Sequence, residues 1–304
     1  MNKCHVAVVG VGSFGRHHVR HLSAHPEIER VTVVDRDVER ARVVAALHDV
    51  DVADDIAGLT IDAAVITVPT EYHAAVAGPL LDRGIHCFIE KPVASEAHEA
   101  RALLAAAETS GAVLQVGHIE RFSPVFEALA EATGPVGYFA ARRHNMPRPV
   151  PPTVDVVLDI MIHDIDLALA LIDAPVAQVT ARAPDGIGHE CAAATLEFAN
   201  GAVAELSASR LSPVTERTLI AYDDKGVWFA DLADKTLHRA IGGDVHEIGL
   251  DTERDALATE LSAFVDAAFG RTTPRVGGTA GQSALAVANE IRAALAPLSL
   301  QLTA

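Results

Sequence analysis

The chain of 304 residues is short of aromatics, of cysteine and of positive charge. Aromatics make up 4% of it, so its core must be built from Ala, Val, Leu and Ile; apolar residues reach 50%, which is ample material. Lys and Arg number 24 against 41 Asp and Glu, a formal charge of −17. That balance argues against a nucleic-acid footprint and favours solubility without identifying a substrate. Cysteine is limited to Cys4, Cys87 and Cys191. No pair has C-x-x-C spacing, which removes a zinc ribbon or a thioredoxin-type motif, and an odd, sparse set fits a reducing compartment better than a disulfide framework. No stretch offers the roughly 18 uncharged apolar residues of a membrane span. The apolar run near the N-terminus is broken by glycines and too short for a signal-peptide core. The expectation is a soluble, cytoplasmic protein. Its 15 His make its charge sensitive to pH between about 5 and 8.

The length suits one large or two ordinary domains. Over the first 118 residues strand and helix signals alternate. Strands are predicted at 5–9, 31–34, 63–68, 87–89 and 113–116, and helices at 13–23, 38–47, 74–83 and 96–109. Continuous apolar strands separated by helices imply a parallel sheet buried on both faces, the doubly wound α/β class. The second half reads differently. A strand at 138–143 is followed by a proline-rich irregular stretch and a long apolar helix at 156–172. Strand-like runs follow at 176–183, 192–198, 202–209, 217–222 and 227–230. Asn200-Gly201 is the strongest hairpin signal in the chain. Short turns between strands imply a largely antiparallel open sheet in an α+β domain, closed by helices at 253–269 and 280–295. The expected division is 1–118, a dinucleotide-binding Rossmann domain, and 119–304, a substrate-binding and oligomerisation domain.

Gly10-Val11-Gly12-Ser13-Phe14-Gly15 matches G-x-G-x-x-G after a predicted strand and at the opening of a predicted helix. Gly10 permits the tight turn, Gly12 lets the backbone approach a pyrophosphate at the helix N-terminus, and Gly15 lets the helix sit close to the sheet. Asp35 follows Gly15 by about 20 residues, at the end of the second strand. A carboxylate there accepts both ribose hydroxyls and repels a 2′-phosphate, which favours NAD over NADP; the neighbouring Arg36 could meet such a phosphate. Glu90-Lys91-Pro92 sits at the carboxyl end of a predicted parallel strand, where such sheets bind ligands; the plain alternative is a solvated Lys before a turn proline. Asp159 and His163 have i, i+4 spacing on one helix face, and a His beside a carboxylate is a candidate general base. The plain alternative for His163 is a helix-interface histidine. His17, His18 and His21 cluster on the first helix and read as solvated or interface residues, so no metal site is expected.

Four segments occur in order: the glycine turn, Thr67-Val68-Pro69-Thr70-Glu71-Tyr72-His73, Glu90-Lys91-Pro92 and Asp159-x-x-x-His163. Together they resemble the glucose–fructose oxidoreductase / inositol dehydrogenase / MocA family of nicotinamide-dependent sugar oxidoreductases, over nearly the whole chain. The resemblance implies that Lys91 contacts the reacting hydroxyl and the nicotinamide region, with Glu90 beside it. It implies a catalytic pair in Asp159 and His163, with His163 the usual candidate acid/base and Lys91 able to exchange roles with it. Thr67, Pro69 and His73 would flank the cofactor, and the Lys91–Pro92 peptide is expected to be cis. In Val116-Gly117-His118-Ile119-Glu120-Arg121, Ile119 stands where many relatives carry Asn. With the stretch around Asp159, this resembles the branch that oxidises the 3-hydroxyl of UDP-N-acetylglucosamine to a ketone, which an aminotransferase then aminates.

His118 and Arg121 are the further candidates for substrate binding. Arg142, Arg143 and Arg148 are weaker candidates for the UDP diphosphate, which arginine suits. A homodimer or homotetramer is expected, with no nucleic-acid or membrane partner. Two other readings stay open: a dehydrogenase of another nucleotide sugar, a free sugar or an inositol, and a non-catalytic NAD-binding sensor or scaffold.

Overall fold

A computed structural model describes residues 4–149 and 154–295. Strand β1 (Cys4–Val9) leads into α1 (Gly15–Ser23), β2 (Ile28–Val34), α2 (Val38–His48), β3 (Asp51–Ala53), β4 (Ala63–Ile66), α3 (His73–Asp82), β5 (His86–Glu90), α4 (Ala97–Ser110) and β6 (Leu114–Gly117). The six strands form one parallel sheet in the order β3-β2-β1-β4-β5-β6. This is the doubly wound arrangement. The strand order reverses between β1 and β4, the switch point at whose carboxyl edge such sheets bind ligands.

Local chemistry accounts for these elements. All four residues of β4 are buried, as a strand covered on both faces requires. Helix α1 buries Gly15, His18, Val19 and Leu22, the i, i+3, i+4, i+7 stripe of an amphipathic helix. Helix α4 opens on a capping box between Glu96 and Glu99 and closes on Gly111 at φ 74°. Strand β3 has no counterpart in the sequence reading, because three residues led by an exposed Asp51 carry no apolar period.

The chain continues through α5 (Pro124–Ala132), β7 (Tyr138–His144), α6 (Ile162–Leu171), β8 (Val176–Arg182), β9 (Cys191–Phe198), β10 (Val203–Ser209), β11 (Glu216–Asp223), β12 (Gly226–Asp231), β13 (Thr236–Ile241), β14 (Asp244–Glu247), α7 (Ala256–Ala268) and α8 (Gly278–Leu295). A π turn, Val157–Met161, precedes α6. The eight strands order as β14-β13-β12-β11-β7-β10-β9-β8. Every pairing is antiparallel except β7 with β10. The hairpin at Asn200-Gly201 forms as expected, with Gly201 at φ 84° and Asn200 Oδ1 accepting from the Ala202 N–H at 3.0 Å. What the sequence hid is that β10 and β11 are not paired: β7, from much earlier in the chain, lies between them. Along β9 and β10 buried residues alternate with partly buried or exposed ones. One face of the sheet meets helices; the other presents Tyr138, Thr195, Glu205, Thr218 and Phe229 around a broad open hollow.

The described chain forms two compact units that are not consecutive in sequence. Residues up to Phe122 join Asp255–Gln282 in one, and Ser123–Arg254 joins the residues from Ser283 onward in the other. Helix α7 explains the return to the first unit. Its Leu261 and Phe264 are fully buried in the core with Val6, Val8, Val33 and Phe88, and the Phe88 and Phe264 rings meet edge-on at 5.8 Å. Gln115 Nε2 donates to the Glu260 carbonyl at 3.1 Å, and the Val116 N–H to Val276 at 2.9 Å. Burying a ring such as Phe264 stabilises by about 1.5–3 kcal/mol.

Candidate active site

The glycine turn is tightly built. Gly10 lies at φ 88°, and a Cβ on Gly15 would fall 1.9 Å from the Gly10 carbonyl oxygen, so α1 starts hard against the end of β1. Thr67, just past β4, donates its hydroxyl to that same Gly10 oxygen and pins the turn. At Gly12 a Cβ would meet nothing within 4 Å. Packing therefore does not demand that glycine, and the open side of its backbone suits a diphosphate approaching the N-terminus of α1. Ser13 and Phe14 stand exposed beside it. Asp35, at the end of β2, accepts from the Val11 N–H on Oδ2 at 2.7 Å and from the Asp37 N–H on Oδ1 at 2.8 Å. The carboxylate is thereby oriented by backbone from both sides of the turn. Arg36 lies over the Tyr72 ring, 4.3 Å from its centroid, and Arg40 comes within 3.8 Å of Asp35. These residues fit the adenosine half of a dinucleotide, with Pro69 exposed on the same loop as Thr67.

At the end of β5 the side chains of Glu90 and His73 turn inward. Glu90 Oε1 meets His18 Nε2 at 2.8 Å, and its Oε2 accepts from the Lys91 N–H at 3.2 Å. Burial pushes the Glu90 carboxyl up, but the His18 hydrogen bond and the charges of His18, Lys91 and His73 outweigh it and hold the group below the ordinary range. His18 is buried edge-on against Phe88 at 5.3 Å. Nothing in the sequence reading assigned His18 a task; the signal was its place on the buried stripe of α1. His73 bridges two backbone carbonyls, Pro92 through Nδ1 and Val68 through Nε2, each at 2.9 Å. Burial pushes its pKa down against the pull of those carbonyls. Both residues act as struts: His73 ties the loop after β4 to Pro92, and Glu90 ties α1 to the backbone of Lys91. The Lys91–Pro92 peptide is cis, as expected. Lys91 itself is half-buried at the carboxyl edge of the sheet.

His118 is buried directly after β6, and Arg121 follows in a short 3₁₀ turn, its N–H donating to the His118 carbonyl at 3.0 Å. Burial, with the Arg121 charge, lowers the pKa of Arg275, whose guanidinium lies 5.0 Å over Phe122. Arg275 thus lies close enough to Arg121 to feel its charge, a neighbour that sequence distance concealed.

In the second unit Asp159 sits in the π turn and is 8% exposed, while half-buried His163 opens α6. Asp159 thus lies on a wider-wound turn and His163 on the regular helix that follows it. Among the partners of Asp159 is Arg210, whose Nη1 donates to Oδ2 at 3.3 Å. Among the arginines weighed for phosphate, Arg143 is corrected: it is 2% exposed and donates to Asp164 Oδ1 from Nε and Nη2 at 3.0 and 2.7 Å. Its guanidinium is committed to a buried ion pair. Arg148 is exposed, 4.0 Å from Asp159, and Arg142 lies 3.8 Å from Glu216 on the open sheet face. Cys4 and Cys87 are buried thiols, Cys4 pushed up to about 12 by burial and then by Asp62, and Cys87 raised by burial.

Residues 4–118 match the oxidoreductase family with an NAD-binding Rossmann fold, and 139–228 match the GFO/IDH/MocA C-terminal domain. The chain belongs to the Gfo/Idh/MocA family. It is 33% identical over 302 residues to UDP-N-acetylglucosamine 3-dehydrogenase of Acidithiobacillus ferrooxidans, covering 95% of this chain and 96% of that one. A structure of that enzyme superposes with a TM-score of 0.92 over 97% of this chain and 98% of its own. Inositol 2-dehydrogenase of Rhizobium meliloti is 27% identical over 309 residues, covering 93% and 94%. Membership makes this protein an oxidoreductase of a family built on nicotinamide dinucleotides and sugar-like alcohols. Among the described residues no helix is long and apolar enough to cross a membrane.

Proposed function

We propose that the protein oxidises the 3-hydroxyl of UDP-N-acetylglucosamine to a ketone, with NAD as the hydride acceptor. The observation that carries the reading is the match, over almost its entire length, to a dehydrogenase of that substrate. The choice of NAD rests on Asp35, whose two oxygens are aimed by the Val11 and Asp37 N–H groups; a fixed carboxylate accepts ribose hydroxyls and repels a 2′-phosphate.

NAD, when bound, supplies the electrophilic carbon that takes hydride. The chain supplies the rest. Residues Gly10–Gly15 offer N–H groups to the diphosphate, and Asp35 holds the ribose, with Arg36 and Tyr72 beside it. Thr67, Pro69, His73 and Glu90 shape the surrounding loops. Lys91 donates to the reacting oxygen and stabilises the charge that grows there as the proton leaves. His163 receives that proton, and Asp159 orients the sugar. His118 and Arg121, with Arg275, serve the remainder of the substrate. The ketone product is the kind that a transaminase consumes. A homo-oligomer built on the open sheet face, working in the cytoplasm, completes the reading.

The test is NADH formation with UDP-N-acetylglucosamine, free N-acetylglucosamine and myo-inositol, each with NAD and NADP, in the presence of a carbonyl trap. Turnover confined to the UDP-sugar and NAD is expected. Turnover of the polyol instead removes the nucleotide-sugar reading, and a preference for NADP removes the role given to Asp35.

A further inference from the structure

Arg210 follows β10 immediately and belongs to no motif, yet it is 5% exposed. Burying a guanidinium is costly unless its donors are filled, and here all five N–H groups have acceptors. Nε and Nη2 grip the two oxygens of Glu190 at 2.9 Å each, and Nη2 also reaches the His189 carbonyl at 2.8 Å. Nη1 reaches the Val154 carbonyl at 2.9 Å and Asp159 Oδ2 at 3.3 Å. Two carboxylates therefore share one cation, and unequally. The Glu190 fork neutralises Arg210 and the two carbonyls complete its shell, so the longer bond to Asp159 is the one the guanidinium needs least. Asp159, in contrast, sits in a π turn, a rare winding that is frequent at functional sites. Arg148, which also approaches it, is exposed and 4.0 Å away.

We infer that Arg210 is a positioning residue: anchored by Glu190, it sets the Asp159 carboxylate and through it the orientation of the sugar. The inference rests on the proposed role of Asp159 in substrate binding. Lysine keeps the charge but cannot make the fork and reach Asp159 together, so charge alone does not replace it.

The experiment is a double-mutant cycle on the full chain with UDP-N-acetylglucosamine and NAD, using Arg210→Lys, Asp159→Asn and the pair. NAD affinity and Tm of each variant are measured alongside. Arg210→Lys is expected to lower kcat/KM by about 10- to 100-fold, the effect of an ångström-scale misplacement, while NAD affinity holds. On the Asp159→Asn background the same change is expected to cost less than about twofold, since coupled sites are not additive. Full additivity, or wild-type kcat/KM in Arg210→Lys, overturns the inference and leaves the proposed function standing. Wild-type kcat/KM in Asp159→Asn, or no turnover by the unmodified chain, overturns the proposed role of Asp159 and the inference with it. If Arg210→Lys does not fold, Glu190→Gln decides, because it loosens only the anchor. A loss that disappears on the Asp159→Asn background supports the inference, and unchanged kcat/KM overturns it.

Discussion

Around Lys91 the protein spends its buried polar groups on holding a backbone rather than on chemistry. Glu90 and His73 both fell inside motifs that pointed to the cofactor, and both side chains turn out to be tied to neighbouring protein groups. His18 completes that arrangement from α1. Replacing His18 with Ala leaves Glu90 without the ring nitrogen that meets it at 2.8 Å. We expect a loss of about 1.5–3 kcal/mol, the worth of a hydrogen bond to a charged group, read from urea unfolding; an unchanged midpoint would show that the pair carries no stability. Lys91→Ala and His163→Ala are expected to behave differently. Each should keep the stability and NAD affinity of the parent while turnover falls by about 10²–10⁴. Near-normal turnover in the His163 variant would remove it from the reaction. The glycine turn, Asp35 and Lys91 were legible from residue type and position, because their chemistry depends on local backbone. The surroundings of Arg210 and Arg275 were not, since the charged residues near them lie 51 and 154 positions away respectively.

Among the secondary elements, those with a clean period and a capping signal were read to within a few residues. The α4 helix, with its capping box and Gly111, is the clearest case. The helix expected over 156–172 was harder: its apolar content is continuous, so nothing marks the π turn from which Asp159 projects. Strands β13 and β14 were missed because they are short and partly or wholly exposed. The link between β7 and α6 is carried by the buried pair Arg143–Asp164, with side chains 3% and 2% exposed. Arg143→Ala strands a buried carboxylate, and we expect a loss of about 3–5 kcal/mol, visible as a lowered denaturation midpoint. The double change Arg143→Met with Asp164→Leu should recover most of it, because an apolar pair removes both desolvation costs. A double variant as unstable as the single one would mean that the pair is needed for its geometry and not only for charge balance.

Taken as a whole molecule, the chain should be sensitive to mild acid. His21, His25, His73 and His86 all have pKa values held below the ordinary 6.5, in each case chiefly by burial. Between the folded and unfolded values the unfolded chain binds more protons, so stability rises with pH. The contribution is fully present above about 6.5 and is lost as the pH falls below it. Glu90 and Asp255, held low in the fold, add a second loss as the pH falls below the ordinary carboxylate range of about 4. A Tm series from pH 8 to 4 should show both steps, and His73→Gln should shrink the first; a flat Tm down to pH 5 would contradict the assignment. The sequence by itself determined the parallel and antiparallel halves, the nucleotide turn and the candidates for the reacting groups, because period, turn chemistry and local motif are properties of neighbouring residues. Tertiary structure alone decided that β7 enters between β10 and β11, that α7 returns to the first unit, and which buried charge meets which. Those outcomes depend on where distant apolar faces and unsatisfied donors find each other, and no pattern within a single segment records that.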